Sequence, residues 1–226
     1  MVIKKNIFVY AAIITVLLLL LIYWLNFYFN SLREDDVVDR MEEILDEYQE
    51  IQALSLMNDV FGGNITCLSL ENTLSYMDKT LWDTGIKIDR YREATEQFSI
   101  DPFYQDQKRK FNRNEIIYFS MLKRMKDQCE FNQTVILYFY KKKEDCPDCD
   151  AQAFVLTDLN REIDPEIAIF SFDSNLDLAS TRTLGLFYNI THFPCIVVEE
   201  NAYCGLKDKN QVVDILCGYR GHSICQ

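Results

Sequence analysis

The sequence predicts an α/β fold in which a four-stranded mixed sheet with covering helices follows a transmembrane helix and a helical hairpin or bundle. Three observations lead to this prediction. Residues 7–29 carry no charge, apolar residues then recur at helical spacing, and strand-like and helix-like runs alternate in the rest of the chain. The expected domains are a cytoplasmic stub with a transmembrane anchor at 1–30, a helical stalk or bundle at 31–130, and an α/β domain at 131–226.

The N-terminal apolar run decides which compartment the rest of the chain occupies. At about 1.5 Å rise per residue, it is long enough to span a hydrocarbon core of roughly 30 Å. It ends in bulky aromatic residues, which suit an interfacial belt, whereas a signal-peptide cleavage site has small residues. We therefore interpret it as an uncleaved, single-pass signal anchor. Because Lys4 and Lys5 precede it, the positive-inside rule predicts that residues 31–226 lie outside the cytoplasm.

Charge and cysteine content agree with an exported domain that binds no nucleic acid. The chain has 35 acidic and 23 basic residues and a net charge of −12, so it repels phosphate backbones. Its eight cysteines permit four disulfides in an oxidising compartment. Sequons at Asn64, Asn132 and Asn189 are compatible with export.

Helical periodicity dominates the segment that follows the anchor. Apolar residues three and four apart predict helices over 34–61, about 70–91 and about 114–128. Pro102 and the residues before it are expected to break the second helix. Short connections favour an antiparallel hairpin or small bundle, which we interpret as a stalk without catalytic residues. The third helix is expected to have one apolar face, formed by Ile117, Met121 and Met125.

The last part of the chain follows the order β-α-β-α-β-β-α. Alternating strands and helices favour parallel pairing, and the closing hairpin, with its turn at Glu200-Asn201, is antiparallel. The helix over 147–161 is expected to bury Ala151, Phe154, Val155 and Leu159. The predicted strands cover 134–140, 167–172, 195–200 and 202–206, and the remaining helices cover 177–190 and 210–219.

The stretch Cys146-Pro147-Asp148-Cys149 follows the first strand and lies at the start of the first helix of this domain. The free N–H groups and dipole of a helix N-terminus stabilise a thiolate. Cys146 is therefore expected to be the exposed nucleophile, and Cys149, one turn later, to resolve a mixed disulfide. Pro147 suits the first helical position, where no N–H donor is needed.

This element order, the dithiol and a proline directly before the third strand resemble the thioredoxin-like superfamily, which includes thioredoxin and protein disulfide isomerase domains. The resemblance covers residues 131–226. It implies a cis bond at Pro194 facing the dithiol, with Phe193 and Pro194 as substrate-binding residues. The sequence departs from the family at Asp145, where a tryptophan is usual, and at Tyr140, where a buried acid is usual. Proton transfer at Cys149 would then use water or Glu144.

These residues favour a membrane-anchored thiol–disulfide oxidoreductase that acts on exported proteins with thiols or disulfides. A reductase would need a redox partner in the membrane. The direction of electron flow stays open, because four acidic residues around Cys146 oppose its thiolate while the lysines at 141–143 favour it. The alternative function is a non-catalytic thioredoxin-like binding module of a membrane protein complex, with Cys146–Cys149 as an inert bridge. The four acids are Glu144, Asp145, Asp148 and Asp150.

No cofactor and no metal are expected. A zinc site would need two more ligands beside the dithiol, from His192, Cys195 and Cys204, and the chain has no second Cys-x-x-Cys. His192 and His222 are instead interpreted as polar surface residues.

The other cysteines are interpreted as structural. Cys67 begins the second helix and Cys129 ends the third, and these ends meet if the helices are antiparallel. Cys217 and Cys225 would tie the C-terminal tail to the last helix. The pairing of Cys195 with Cys204 stays open, because the expected hairpin turn places Cys204 opposite Val197.

Overall fold

A computed structural model describes residues 5–61, 67, 79–88, 101–129 and 133–225. Within these residues the chain forms one four-stranded mixed sheet and six α-helices, the first of them apolar at its N-terminal end. The predicted fold class is therefore confirmed. The chain divides into two compact units, residues 1–40 and residues 41–226.

The first helix, α1 (Lys5–Phe61), includes both the apolar run and the helix predicted over 34–61. Its segment Phe8–Phe29 is long and apolar enough to cross a membrane, by length and composition. Near the end of this segment the rings of Trp24 and Tyr28 stack with centroids 5.7 Å apart. Aromatic side chains at this position are typical of a membrane–water interface.

The second and third helices differ from their predicted limits. Residues 79–88 form α2, and the rest of the helix predicted over 70–91 lies outside the described residues. Helix α3 (Pro102–Cys129) begins well before the predicted start. The Asp101 carboxylate accepts a hydrogen bond from the Phe103 N–H at 2.8 Å, and proline is well suited to the first helical position. The Asp-Pro pair that predicts a break thus also starts the next helix.

The sheet has the strand order β2-β1-β3-β4. Strands β1 and β2 are parallel, whereas β3 is antiparallel to both β1 and β4. The predicted parallel pair and antiparallel hairpin are confirmed. The nearly continuous burial of the β-branched and aromatic residues of β1 agrees with its interior place in the sheet. The strands are β1 (Thr134–Tyr140), β2 (Ile167–Asp173), β3 (Cys195–Val198) and β4 (Asn201–Cys204).

Helices cover both faces of the sheet. On one face α4 (Cys149–Ile163) and α6 (Lys209–Tyr219) enclose a largely aliphatic core with residues of β1, β2 and β3. On the other, Tyr118 and Phe119 of α3 pack against Phe170 of β2, with ring centroids 5.2 and 5.7 Å apart. The last helix is α5 (Ala179–Phe187), and the short 3-10 turn Ser174–Leu176 follows β2.

The predicted buried face of α4 is largely wrong. Of the four residues expected inside, only Leu159 is buried, whereas Phe154 is 73% exposed. The helix begins two residues later than predicted and buries Cys149, Gln152, Leu156, Leu159 and Ile163. Because Cys149 and Gln152 belong to the buried face, that face is rotated around the helix axis relative to the one predicted from apolar residues alone.

Helix α3 closes the open edge of the sheet with polar side chains. The Asn112 amide accepts a hydrogen bond from the Asp173 N–H at 2.9 Å and donates to the Ser171 carbonyl at 3.3 Å. The Glu115 carboxylate accepts from the Ser171 N–H at 2.8 Å. These backbone groups of β2 are the ones that a further strand would pair. Helix α3, predicted to belong to a stalk, therefore forms part of the α/β structure.

This polar contact also explains why the apolar face predicted for α3 is not the most deeply buried face of that helix. Ile117 and Met121 are only half-buried, and the side chain of Met125 lies outside the described residues. The buried face mixes aromatic residues with the groups that bind β2. It includes Tyr104, Lys108, Phe111, Asn112, Glu115, Tyr118, Phe119 and Leu122.

The closing hairpin turns one residue earlier than predicted. Val198 pairs with Asn201, so Glu199 and Glu200 form the turn and Cys195 lies opposite Cys204. Glu199 adopts a positive φ of 56°. Its N–H donates to the Val135 carbonyl at 3.1 Å, and its carboxylate pairs with Lys126. These long-range contacts stabilise the left-handed backbone conformation of Glu199, which asparagine adopts more often than glutamate does.

His222 is buried, so its predicted place on the surface is wrong. One ring nitrogen lies 3.1 Å from the Thr134 hydroxyl and the other 3.3 Å from the Glu166 carboxylate. Hydrogen bonds from Ser223 to this carboxylate lower the pKa of Glu166. These hydrogen bonds of His222 and Ser223 hold the C-terminal tail against the starts of β1 and β2.

Candidate functional site

All eight cysteines are described, and they form four disulfides: Cys67–Cys129, Cys146–Cys149, Cys195–Cys204 and Cys217–Cys225. Two of these pairs are expected from the sequence: Cys67–Cys129 from the predicted helix geometry, and Cys217–Cys225 from the position of the C-terminal tail. The Cys195–Cys204 bond, which the sequence leaves open, follows from the shifted hairpin turn.

The Cys146–Cys149 disulfide lies where the loop after β1 enters α4. The Cys149 N–H donates to the Cys146 carbonyl at 3.2 Å, which closes a turn ahead of the helix. The Tyr138 hydroxyl donates to the Cys149 carbonyl at 2.6 Å. Pro147 lies in this turn and not at the first helical position, so that prediction is wrong. Asp148 is the N-cap residue, and its side chain makes no capping hydrogen bond.

Burial of the dithiol is the main departure from the expected site. Cys146 and Cys149 are each only 2% exposed, so the expected exposure of Cys146 is wrong. The preceding loop folds back on itself, with the Asp145 and Cys146 N–H groups both donating to the Lys142 carbonyl at 2.9 Å. The bonded pair is thus covered in the oxidised protein.

Asn175, in the turn after β2, forms hydrogen bonds that hold the loop before the dithiol in place. Its amide oxygen accepts from the Lys142 N–H at 2.6 Å, and its amide nitrogen donates to the Asp145 carboxylate at 2.9 Å. Its own N–H donates to the Asp173 carboxylate at 2.9 Å. Sequence reasoning missed Asn175, because the loop and the turn meet only through the parallel pairing of β1 with β2.

Asp173 in turn forms a buried ion pair with Lys108 of α3, at an N–O distance of 2.5 Å. Burial acts to lower the pKa of Lys108, but the charges of Tyr140 and Asp173 outweigh it and the pKa is raised. The Asp173 carboxylate is the group that binds the Lys108 ammonium directly. A chain of contacts therefore links α3 through the end of β2 to the dithiol loop.

The loop carries exposed charges of both signs. Its lysines at 142 and 143 are exposed, while Lys141 is half-buried with its ammonium 4.7 Å from the centroid of the Phe193 ring. That distance is within the range of a cation–π contact. All four acids around the dithiol, Glu144, Asp145, Asp148 and Asp150, are exposed.

Phe193 and Pro194 lie directly before β3, and the peptide bond between them is cis. Pro194 is buried, and its carbonyl accepts a hydrogen bond from the Gly205 N–H at 2.7 Å. That carbonyl is thus already engaged within the domain. Phe193 is half-buried and lines a groove of about 290 Å³ beside α5. The apolar walls of the groove are Phe139, Leu178, Leu186, Ile190 and Phe193. Its charged residues are Lys141, Asp177 and Arg182, and the last two form an ion pair at 3.0 Å.

The residues considered for zinc are not gathered into one site. Cys195 and Cys204 are bonded to each other, and His192 is exposed beside the Thr191 hydroxyl at 3.1 Å. Over the described residues, no three His, Cys, Asp or Glu side chains are grouped as a metal site would require.

Comparison with known proteins gives no family. No family model matches the chain, and no curated protein matches it. Solved structures do match, and one of them is described as "Structure of a malarial protein". It aligns with 40% of this chain and 100% of its own, at 17% identity and a TM-score of 0.35.

Proposed function

We propose that this protein is a membrane-anchored thiol–disulfide oxidoreductase that acts on exported proteins through Cys146 and Cys149. The observation that carries the proposal is a disulfide of sequence separation 3 at the start of α4. A cross-link stabilises a protein by restricting its unfolded chain, and so short a loop contributes only about 2 kcal/mol. This bridge closes the shortest loop of the four and so adds the least stability by this measure, whereas its place at the N-terminus of a helix offers a chemical role, stabilisation of a thiolate.

The arrangement around the dithiol supports a thioredoxin-like domain. From β1 onward the described elements follow the order β-α-β-α-β-β-α, and Cys149 is the first residue of the first helix of that order. The four-stranded mixed sheet, with helices on both faces, is compatible with that fold. In this proposal residues 131–226 contain the reaction site, and α3 of the preceding segment 31–130 supports it through Lys108.

The chemistry is thiol–disulfide exchange. In the reducing direction the Cys146 thiolate attacks a substrate disulfide and releases one substrate thiolate. The Cys149 thiolate then attacks the mixed disulfide, releases the second thiolate and leaves Cys146 bonded to Cys149. In the oxidising direction the same steps run in reverse, and two electrons pass from the substrate to the protein. A membrane redox partner would restore the starting state.

Because both cysteines are buried, the reaction needs the loop over 141–148 to open. The two hydrogen bonds between this loop and Asn175 are exposed to water. Exposed hydrogen bonds of this kind open at lower free energy than the buried core. Substrate segments would then bind near Phe193 and Pro194, beside the groove.

The membrane anchor and the disulfides support a place outside the cytoplasm for the reaction site. The segment Phe8–Phe29 would hold the protein at the membrane as residues 1–30 of the proposed organisation. Four disulfides suit an oxidising compartment. Substrates would be exported proteins that carry thiols or disulfides.

Trapping of substrates tests the proposed roles of the two cysteines. In Cys149→Ser, Cys146 attacks substrates but no second thiol releases them, so disulfide-linked complexes should accumulate in the native membrane. Cys146→Ser should trap few or none, which makes it the matched control. Non-reducing gels followed by mass spectrometry of reducible high-mass bands would measure the difference. Equal trapping by both variants would contradict the assigned roles.

The burial of both cysteines favours a second candidate function. A cross-link that is only 2% exposed at each end could be an inert bridge. The apolar groove beside α5 would then bind a protein partner within a membrane complex. Absence of trapping by Cys149→Ser, together with a Cys146–Cys149 bond that resists physiological dithiols, would favour this binding module.

A further inference from the structure

Gln152 is a fully buried amide on the same face of α4 as Cys149, three residues further along. Its side-chain oxygen accepts a hydrogen bond from the Lys207 N–H at 2.8 Å. This contact identifies the other end of the amide, Nε2, as the donor. Within the part of the chain that the structure describes, Nε2 has no hydrogen-bond partner.

A buried donor without a partner is costly, and such groups are rare in folded proteins. Side chains three residues apart lie on one face of a helix, and they lean toward its N-terminus. Gln152 and Cys149 are therefore neighbours on the buried face of α4. The sulfur of a disulfide is a weak acceptor, whereas a thiolate is a strong one.

We infer that Gln152 donates a hydrogen bond from Nε2 to the Cys149 thiolate when the disulfide opens, a role that rests on the proposed dithiol chemistry. An attacking thiolate forms a new S–S bond to Cys146. The Cys146–Cys149 bond breaks, and its electron pair stays on the Cys149 sulfur. No proton is transferred in this step. The amide thus gains its partner once the Cys146–Cys149 bond has broken, in the mixed disulfide and in the reduced protein, and it stabilises both.

Other charged and titratable groups surround the pair and also influence the Cys149 thiolate. The acids of the loop and of the first turn of α4 oppose it, and the ammonium of Lys207 favours it. A neutral donor differs from these charges because its effect persists at high salt. The groups are Lys141, Lys142, Lys143, Glu144, Asp145, Asp148 and Asp150 around the dithiol, Tyr138 on β1, and Lys207 after β4.

The test replaces Gln152 by methionine, which has a similar length and no donor. Full-length protein in detergent micelles is equilibrated with reduced and oxidised glutathione over a range of pH at high salt. Gln152→Met should disfavour reduction by about tenfold at pH values where Cys149 is ionised, and by less at lower pH. In a Cys146→Ser background, thiolate absorbance should show a raised Cys149 pKa. Leu156→Met, one turn further on the same buried face, should change the equilibrium by less than roughly twofold.

A merely structural role would destabilise the oxidised and reduced forms alike. Gln152→Met would then leave both the glutathione equilibrium and the Cys149 pKa unchanged, and the inference would be overturned. The proposed function fails separately. If Cys149→Ser traps no substrate while Gln152→Met still shifts the equilibrium, the donor role stands and the oxidoreductase does not.

Discussion

Replacing Lys108 by methionine should lower the free energy of unfolding by about 3–5 kcal/mol, because it leaves the Asp173 carboxylate buried without its cation. Lys108 and Asp173 are both almost fully buried, at the junction of α3 with the end of β2. Asp173 also accepts the Asn175 N–H, so loss of the ion pair should loosen the turn that braces the dithiol loop. Chemical denaturation of the full chain in detergent would measure the loss.

Two controls separate the ion pair from a general effect of substitution. Lys110→Met removes the partner of Asp106 on the same helix, where both side chains are exposed, and should cost less than about 1 kcal/mol. The double variant Lys108→Met with Asp173→Asn removes both charges but retains an acceptor for Asn175. It should recover most of the lost stability. A cost for Lys108→Met no larger than that for Lys110→Met would contradict the account.

The pH dependence of this loss follows from the sign of the pKa shift. The pKa of Lys108 is raised, so its contribution is fully present below the unfolded value of 10.5 and is lost only as the pH rises through the folded value. The cost of Lys108→Met should therefore stay constant from about pH 6 to about pH 8, where lysine is charged in both states.

Removing the Cys67–Cys129 bond should have an effect of similar size. This disulfide has a sequence separation of 62 and joins the segment before α2 to the end of α3. The chain-entropy estimate for so long a loop is about 4 kcal/mol. The double variant Cys67→Ser with Cys129→Ser should lose that amount of stability in chemical denaturation under non-reducing conditions.

The short Cys217–Cys225 loop supplies the comparison. Its sequence separation is 8, for which the same estimate is about 2.5 kcal/mol. Paired serine substitutions there should cost less than those at Cys67 and Cys129. An equal or larger cost for the short loop would show that the native contacts of the bridges, and not the length of chain they close, set their contribution.

Sequence reasoning succeeds where a local pattern decides the structure. The apolar run of β1 and the start of β2 at Ile167 are placed correctly, because a buried strand needs several consecutive β-branched or aromatic residues. The dithiol is also placed correctly, after β1 and at the start of α4, since both of these elements have clear signals.

Sequence reasoning fails where a distant contact decides the structure. The buried face of α3 contains Lys108, Asn112 and Glu115, which form hydrogen bonds with residues of β2. Because these side chains are polar, the sequence alone would place them on the surface. His222 is buried because its partners Thr134 and Glu166 lie far away in sequence. For the candidate site, the two cysteines are predictable, but their burial and their support from Asn175 depend on how strands and loops meet.

A redox titration of the individual disulfides tests the central claim, that Cys146–Cys149 is the reactive pair, most directly. Full-length protein would be equilibrated in buffers of graded redox potential, alkylated and analysed by peptide mass spectrometry, so that each pair is followed separately. We expect Cys146–Cys149 to be reduced reversibly above about −300 mV, while the other three pairs remain bonded there. Reduction of Cys146–Cys149 only below that potential, together with the other bonds, would contradict this claim and identify the pair as structural.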